Sequence, residues 1–165
     1  MGREPGGHNA PMLSFHLGAV SPDAPSEGQA WQPVGVGVDV VHLPRVAESL
    51  ACFGERFVRR LFTPQEALDA GSDPVLRVER LAARFAAKEA ALKAFGLADA
   101  GVNWREFEVV RLPSGAPVLR VHGRAATLLR QRGLSHWALS LSHDGDHAVA
   151  VVALVQPSLP AGPAP

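Results

Sequence analysis

The sequence predicts an α+β fold, a single compact domain in which a largely antiparallel sheet packs against one long buried helix. Valines alternate with glycine and aspartate over 34–40, the period of a strand with one buried face. Two segments near the C-terminus, 137–143 and 147–155, flank Asp144-Gly145-Asp146 and read as a hairpin. Residues 78–95 are apolar on nearly every side of a helix, as a buried helix requires.

The other elements follow in order. In the opening strand Val34, Val36, Val38 and Val40 form the expected buried face. Asp39 points to the opposite side beside Gly35 and Gly37, where another group can approach the backbone. Pro44 opens a helix to about Leu61. Thr63-Pro64-Gln65-Glu66 is a capping-box pattern that starts a short second helix. Asp73-Pro74 starts the long helix, which runs to about Phe95 before a loop from Gly96 to Asn103. Strands at 106–112 and 118–122 are joined by Pro113-Ser114-Gly115-Ala116-Pro117. A helix over 124–132 ends at Gly133 and leads to the hairpin.

Proline placement sets the domain limits. Of 14 prolines, five lie in 1–33 and four in 157–165. The expected organisation is a flexible Pro/Gly-rich tail over 1–33, a folded domain over 34–155 and a flexible Pro-rich tail over 156–165. Sixteen basic residues balance 16 acidic ones, which argues against a general nucleic-acid or membrane-surface binder. Trp31, Trp104 and Trp137 are too widely spaced to interleave with basic residues as base-stacking platforms. The only apolar stretch near the start, Met12 to Val20, is interrupted by His16 and lacks a charged lead, so no signal peptide is expected. Cys52, the single cysteine, excludes a disulfide framework and is expected as a small core residue. The expected compartment is cytoplasmic.

The long helix carries charges where its pattern calls for none. Fourteen of the basic residues are Arg and only two are Lys, and those two, Lys88 and Lys93, stand on either side of Glu89. At about 100° per residue Lys88 falls within the large apolar face, Glu89 at its margin, and Lys93 and Arg84 beside it. Unpaired charges there need partners or a ligand. An i,i+4 surface pair of Glu89 and Lys93 is the plain alternative, stabilising by about 0.2–0.5 kcal/mol. A compact, titratable ammonium suits proton transfer or contact with phosphate oxygens. Two separated carboxylates, Asp39 and Glu89, suit Mg²⁺ completed by water and phosphate. Composition and spacing reach a metal–phosphate site and no further.

Val36-Gly37-Val38-Asp39, the segment from Arg84 through Phe85, Lys88, Glu89 and Lys93 to Gly96, and Ser140-Leu141-Ser142-His143 together resemble the holo-acyl-carrier-protein synthase type of 4′-phosphopantetheinyl transferase. The resemblance covers about 34–155. It implies transfer of the 4′-phosphopantetheine arm of coenzyme A to a serine of an apo acyl carrier protein, with Mg²⁺ and release of adenosine 3′,5′-bisphosphate. By resemblance Asp39 and Glu89 hold the metal, and Lys88 contacts phosphate. Lys93 contacts the pyrophosphate or protonates the leaving group. Arg84, Gly96 with its loop, and His143 line the coenzyme A site, and the base for the serine is Glu89 or a water on the metal. Arg45 pairs with the acidic carrier, and Arg56, Arg59 and Arg60 offer either a docking or a solvated face. The resemblance also implies a homotrimer with its sites between subunits.

This sequence departs from the family pattern at His42, where an acidic residue is common, and at Ala116, where the hairpin turn often has lysine. These departures support the alternative of a catalytically idle relative that binds coenzyme A or a carrier protein. His122, His136 and His147 are expected to be structural or exposed.

Overall fold

The computed structural model describes residues 16–19 and 30–158. Strands β1 (His16–Ala19), β2 (Trp31–His42), β5 (His136–Asp144) and β6 (His147–Pro157) form one antiparallel sheet in the order β1-β5-β6-β2. Strands β3 (Phe107–Arg111) and β4 (Pro117–Val121) form a second, two-stranded sheet. Helices α1 (Leu43–Phe53), α2 (Glu55–Leu61), α3 (Pro64–Ala70), α4 (Pro74–Phe95) and α5 (Gly123–Gln131) complete the α+β fold, with α4 packed on β2 and β6. Two strands reach into the segment expected as an N-terminal tail, because β1 lies within it and β2 begins at Trp31. At the other end β6 runs to Pro157, and residues 1–15, 20–29 and 159–165 lie outside the described residues.

The alternation in β2 is present with its sides reversed. Val34, Val36, Val38 and Val40 are 44–60% exposed, whereas Gly37 is buried. The group that approaches the glycine face is α4. A Cβ on Gly37 would lie 1.9 Å from the carbonyl oxygen of Ala90 and 2.7 Å from the amide nitrogen of Ala94. Alanines on α4 and glycines on β2 thus let helix and strand backbones meet, and the valines are left on the outer face. Val38 and Val40 stand there opposite Val151 and Val149 of β6. Gly37→Ala is expected to destabilise by about 3 kcal/mol or more, since backbone on both sides must give way. Thermal unfolding measures this, and a variant as stable as the parent would contradict the close approach.

Proline and capping residues place α4. Pro74 occupies its first turn, and Asp73 accepts from the amides of Val75 (3.0 Å) and Leu76 (2.9 Å). Gly96, at φ 61°, ends it in the left-handed conformation that glycine adopts without strain. Between them Leu81, Ala82, Ala86, Ala87, Ala90, Ala91 and Phe95 are buried in the core. The helix expected from Pro44 to Leu61 is divided at Gly54, whose φ of 52° and ψ of −135° are incompatible with a continuous helix. Cys52, expected in the core, is exposed because α1 buries its Val46 side.

Candidate active site

Two elements bring the first group together. Asp39 stands on the α4-facing side of β2, and Glu89 and Lys93 are one turn apart on α4. Lys93 Nζ donates to Asp39 Oδ1 at 2.8 Å and to the Val38 carbonyl at 3.0 Å. That bond, the charge of Asp39 and the charge of Glu89 outweigh desolvation and raise the Lys93 pKa, so its ammonium stays charged. Glu89 is half-buried, and its pKa is raised first by burial and then by the negative charge of Asp39, with Lys93 opposing. Two carboxylates therefore repel one another around a position that a cation would relieve.

The donor set fits Mg²⁺, a hard cation that takes one or two carboxylates and fills the rest of its shell with water and phosphate oxygens. Among the described residues no group of three or more His, Cys, Asp or Glu forms an all-protein cage. Protons and a divalent cation compete for Glu89. Mg²⁺ affinity, followed by titration calorimetry, is expected to fall as pH drops through a midpoint above the ordinary 4.5 of a glutamate. A midpoint at or below that value would detach Glu89 from the cation.

Lys88, expected on phosphate, is in the core. Its side chain is fully buried, and Nζ donates to Glu66 Oε2 (2.8 Å), the Trp104 carbonyl (3.1 Å) and the Phe107 carbonyl. The ammonium has three hydrogens and all are committed, which leaves none for a ligand. Burial pushes the Lys88 pKa down and the carboxylate of Glu66 works against this. Glu66 also accepts from the amides of Thr63 (2.9 Å) and Val109 (3.0 Å). This pair ties the start of α3, the middle of α4 and strand β3 together. Sequence reasoning gave Glu66 only its capping role; the unpaired charge at Lys88 called for a partner but carried no indication of which acid.

Arg84 and His143 do meet, in a cavity of about 430 Å³ also lined by Asp69, Arg80, Arg111 and Leu141. Arg84 is 8% exposed; Nη1 donates to the Arg80 carbonyl at 3.1 Å, Nη2 lies 3.7 Å from Asp69, and buried Nε has no partner among the described residues. Desolvation lowers its pKa most, and Arg80 and Arg111 lower it further against the pull of Glu66 and Asp69. Clustered guanidinium groups with an unused donor suit an anion. Arg80 was legible as the residue one turn before Arg84, whereas Arg111 arrives from a different sheet.

Gly96 lies outside this cavity lining. Its carbonyl and that of Phe95 receive Arg132 Nη1, at 3.5 and 2.9 Å, at the end of α4 nearest Lys93. Asp39, Glu89 and Lys93 share no lining with the cavity either. Asp39 and Leu141 both align with Ala150 of β6, so two strand spacings, about 10 Å, separate them across the sheet.

Arg45, Arg56, Arg59 and Arg60 are all exposed on α1 and α2, with Phe53 62% exposed among them. His122, expected to be structural or exposed, is exposed and sits 2.9 Å from Glu108, which also accepts from Thr63 Oγ1 at 2.7 Å. Burial would raise the Glu108 pKa, but these two bonds hold it below the usual range. His136 is buried against the Trp31 ring, and His147 lies beside His42 with ring centres 5.1 Å apart.

The profile of the 4′-phosphopantetheinyl transferase superfamily matches residues 35–152. A holo-[acyl-carrier-protein] synthase of Koribacter versatilis is 47% identical over 122 residues, covering 73% of this chain and 97% of that protein. The corresponding Frankia alni protein is 45% identical over 119 residues, covering 72% and 94%. Among solved structures, the Chronobacterium ammoniagenes ACPS–CoA complex aligns with a TM-score of 0.65 at 37% identity, over 79% of this chain and all of that one. The Bacillus anthracis holo-(acyl-carrier-protein) synthase in complex with CoA (3′,5′-ADP) aligns with a TM-score of 0.61 at 32% identity, over 76% and 98%. Matched over residues 35–152 and 45–47% identical to relatives over nearly their whole length, the chain belongs to the 4′-phosphopantetheinyl transferase superfamily.

Proposed function

We infer that this chain is a holo-[acyl-carrier-protein] synthase. It transfers the 4′-phosphopantetheine arm of coenzyme A to a serine of an apo acyl carrier protein and releases adenosine 3′,5′-bisphosphate. The observation that carries this reading is the juxtaposition of Asp39, Glu89 and Lys93 in a chain that matches holo-[acyl-carrier-protein] synthases over nearly their whole length.

In the reaction the serine oxygen forms a bond to the β-phosphorus of coenzyme A while the bond from that phosphorus to the bridging oxygen breaks. The demand is for positioning and charge neutralisation more than for a protein nucleophile. Asp39 and Glu89 would hold Mg²⁺, which when bound supplies positive charge to the pyrophosphate. Lys93 is half-exposed on a flexible stem, so its ammonium can move from Asp39 to the departing phosphate. The serine proton would pass to Glu89 or to a water in the site. Arg84 and His143 line the cavity for the nucleotide, and Arg45 with its neighbours faces an acidic carrier. Lys88 has no part in phosphate contact in this account.

The separation of the cavity from the carboxylates supports a site completed by a neighbouring copy, as does the apolar outer face of β2 and β6. We therefore assign a homotrimer, for which light scattering should return three times the chain mass; a monomer mass would remove it. No helix among the described residues is long and apolar enough to cross a membrane, and the proposed compartment is the cytoplasm.

Lys93→Arg keeps the charge but not the compact ammonium, and is expected to slow transfer about tenfold or more. An unchanged rate would end the special role given to lysine. The function itself is tested by incubating the protein with apo carrier, coenzyme A and Mg²⁺ and measuring released adenosine 3′,5′-bisphosphate by chromatography. Release that depends on the carrier is expected. Bound coenzyme A without release across several carriers would instead support an idle binder.

A further inference from the structure

His42 and His147 carry no part of the proposed transfer, yet they end the β2–β6 ladder as a directly opposed pair. Opposed residues of antiparallel strands project to the same side, with Cβ atoms about 4.5–5.5 Å apart. Here that side is the outer face of the sheet, since Val41 and Ala148, the next residues along each strand, are buried. The backbone at this corner is held twice. The ladder fixes both histidines, and the Leu43 amide donates to the Asp146 carbonyl at 2.8 Å, tying the β5–β6 turn to the start of α1.

The two imidazole centres are 5.1 Å apart with their planes at 41°, neither the stacked nor the T-shaped arrangement that aromatic pairs prefer. Both residues are exposed, and neither ring has a hydrogen-bond partner among the described residues. His42, at the N-cap of α1, makes no capping bond. Two imidazoles on one tetrahedral ion, at metal–nitrogen distances of about 2.0–2.1 Å, have ring centres about 5 Å apart. The pair therefore already has the spacing of a chelate. Asp144 stands opposite His147 on β5, in the same row and also exposed. No three-residue cage is formed among the described residues, so the imidazoles are the fixed part, and the Asp144 carboxylate and water complete the shell.

We propose that His42 and His147 form a bidentate site for a transition-metal ion of the Zn²⁺, Ni²⁺ or Cu²⁺ class. Neutral imidazole favours these ions, whereas carboxylate and phosphate oxygens suit Mg²⁺. The site lies on the opposite side of β2 from Asp39 and does not depend on the transfer reading. An ion bound there clamps the end of β2 to the β5–β6 hairpin.

Titration calorimetry of Zn²⁺ into the untagged full chain, with Mg²⁺ in excess, tests the site. One Zn²⁺ per chain is expected, with affinity about a hundredfold lower in His147→Asn, because the second arm of a chelate binds intramolecularly. His122→Asn, which removes the histidine beside Glu108, should bind as the parent does. With Cu²⁺ as the probe, electron paramagnetic resonance should show two imidazole nitrogens on the ion in the parent and one in His147→Asn. Without metal the parent and His147→Asn should unfold at the same temperature, and Zn²⁺ should raise the midpoint of the parent alone. Equal Zn²⁺ affinity in parent and His147→Asn, or a single imidazole on copper in the parent, would overturn the site. Loss of binding in His122→Asn, or one ion shared among several chains, would overturn it as well.

Discussion

Replacing Lys88 with methionine is expected to lower the free energy of unfolding by about 3–5 kcal/mol, the cost of leaving one member of a buried ion pair alone. Glu66 would remain fully buried without its charge partner, and the carbonyls of Trp104 and Phe107 would lose a donor. Urea unfolding at constant slope measures the loss. Pairing the change with Glu66→Gln should recover a substantial part, since it removes the stranded charge. A loss below about 1 kcal/mol would show that the pair does not hold the fold. The fraction of Lys88→Met that remains folded should transfer at the parental rate, whereas a direct phosphate contact would cost rate at full folding.

Glu89→Gln has the opposite profile. Transfer is expected to fall by about a thousandfold or more, because a neutral amide neither balances a cation nor accepts a proton. Stability should not fall. The ionised form of Glu89 is disfavoured by burial and by Asp39, so an uncharged isostere relieves repulsion. Steady-state rates with apo carrier, combined with thermal unfolding of the same preparation, check both halves. Parental activity would remove Glu89 from the reaction, and a large drop in melting temperature would make it a structural residue.

These two neighbours on α4 show where the sequence could be read and where it could not. Periodicity placed α4, and the capping residues Asp73 and Gly96 fixed its ends, because both signals are local. The same periodicity singled out Lys88 as a charge in an apolar setting. Its partner, Glu66, lies 22 residues away on another helix, a distance at which spacing carries no information. The β2 pattern was legible as a strand for the same local reason. Its buried side was misjudged because valines are ordinarily the inward residues, whereas here a helix backbone needs the space that only Gly35 and Gly37 leave. Asp39 stood out by its glycine face and Glu89 by its place between the two lysines, with the family resemblance supplying their role as metal ligands, and the bond from Lys93, one turn from Glu89, to Asp39 shows that strand and helix bring them near. The cavity was half legible. Arg84 and His143 were named, but Arg111 comes from the β3–β4 sheet, whose docking against α4 is a tertiary event.

The most direct test of the account is the intact mass of an apo acyl carrier protein after incubation with this protein, coenzyme A and Mg²⁺. A gain equal to one phosphopantetheine arm, located on a serine, is expected with the parent protein, and no gain over the same interval with Glu89→Gln. A carrier left at its apo mass by the parent protein, with coenzyme A intact and several carriers tried, would contradict it.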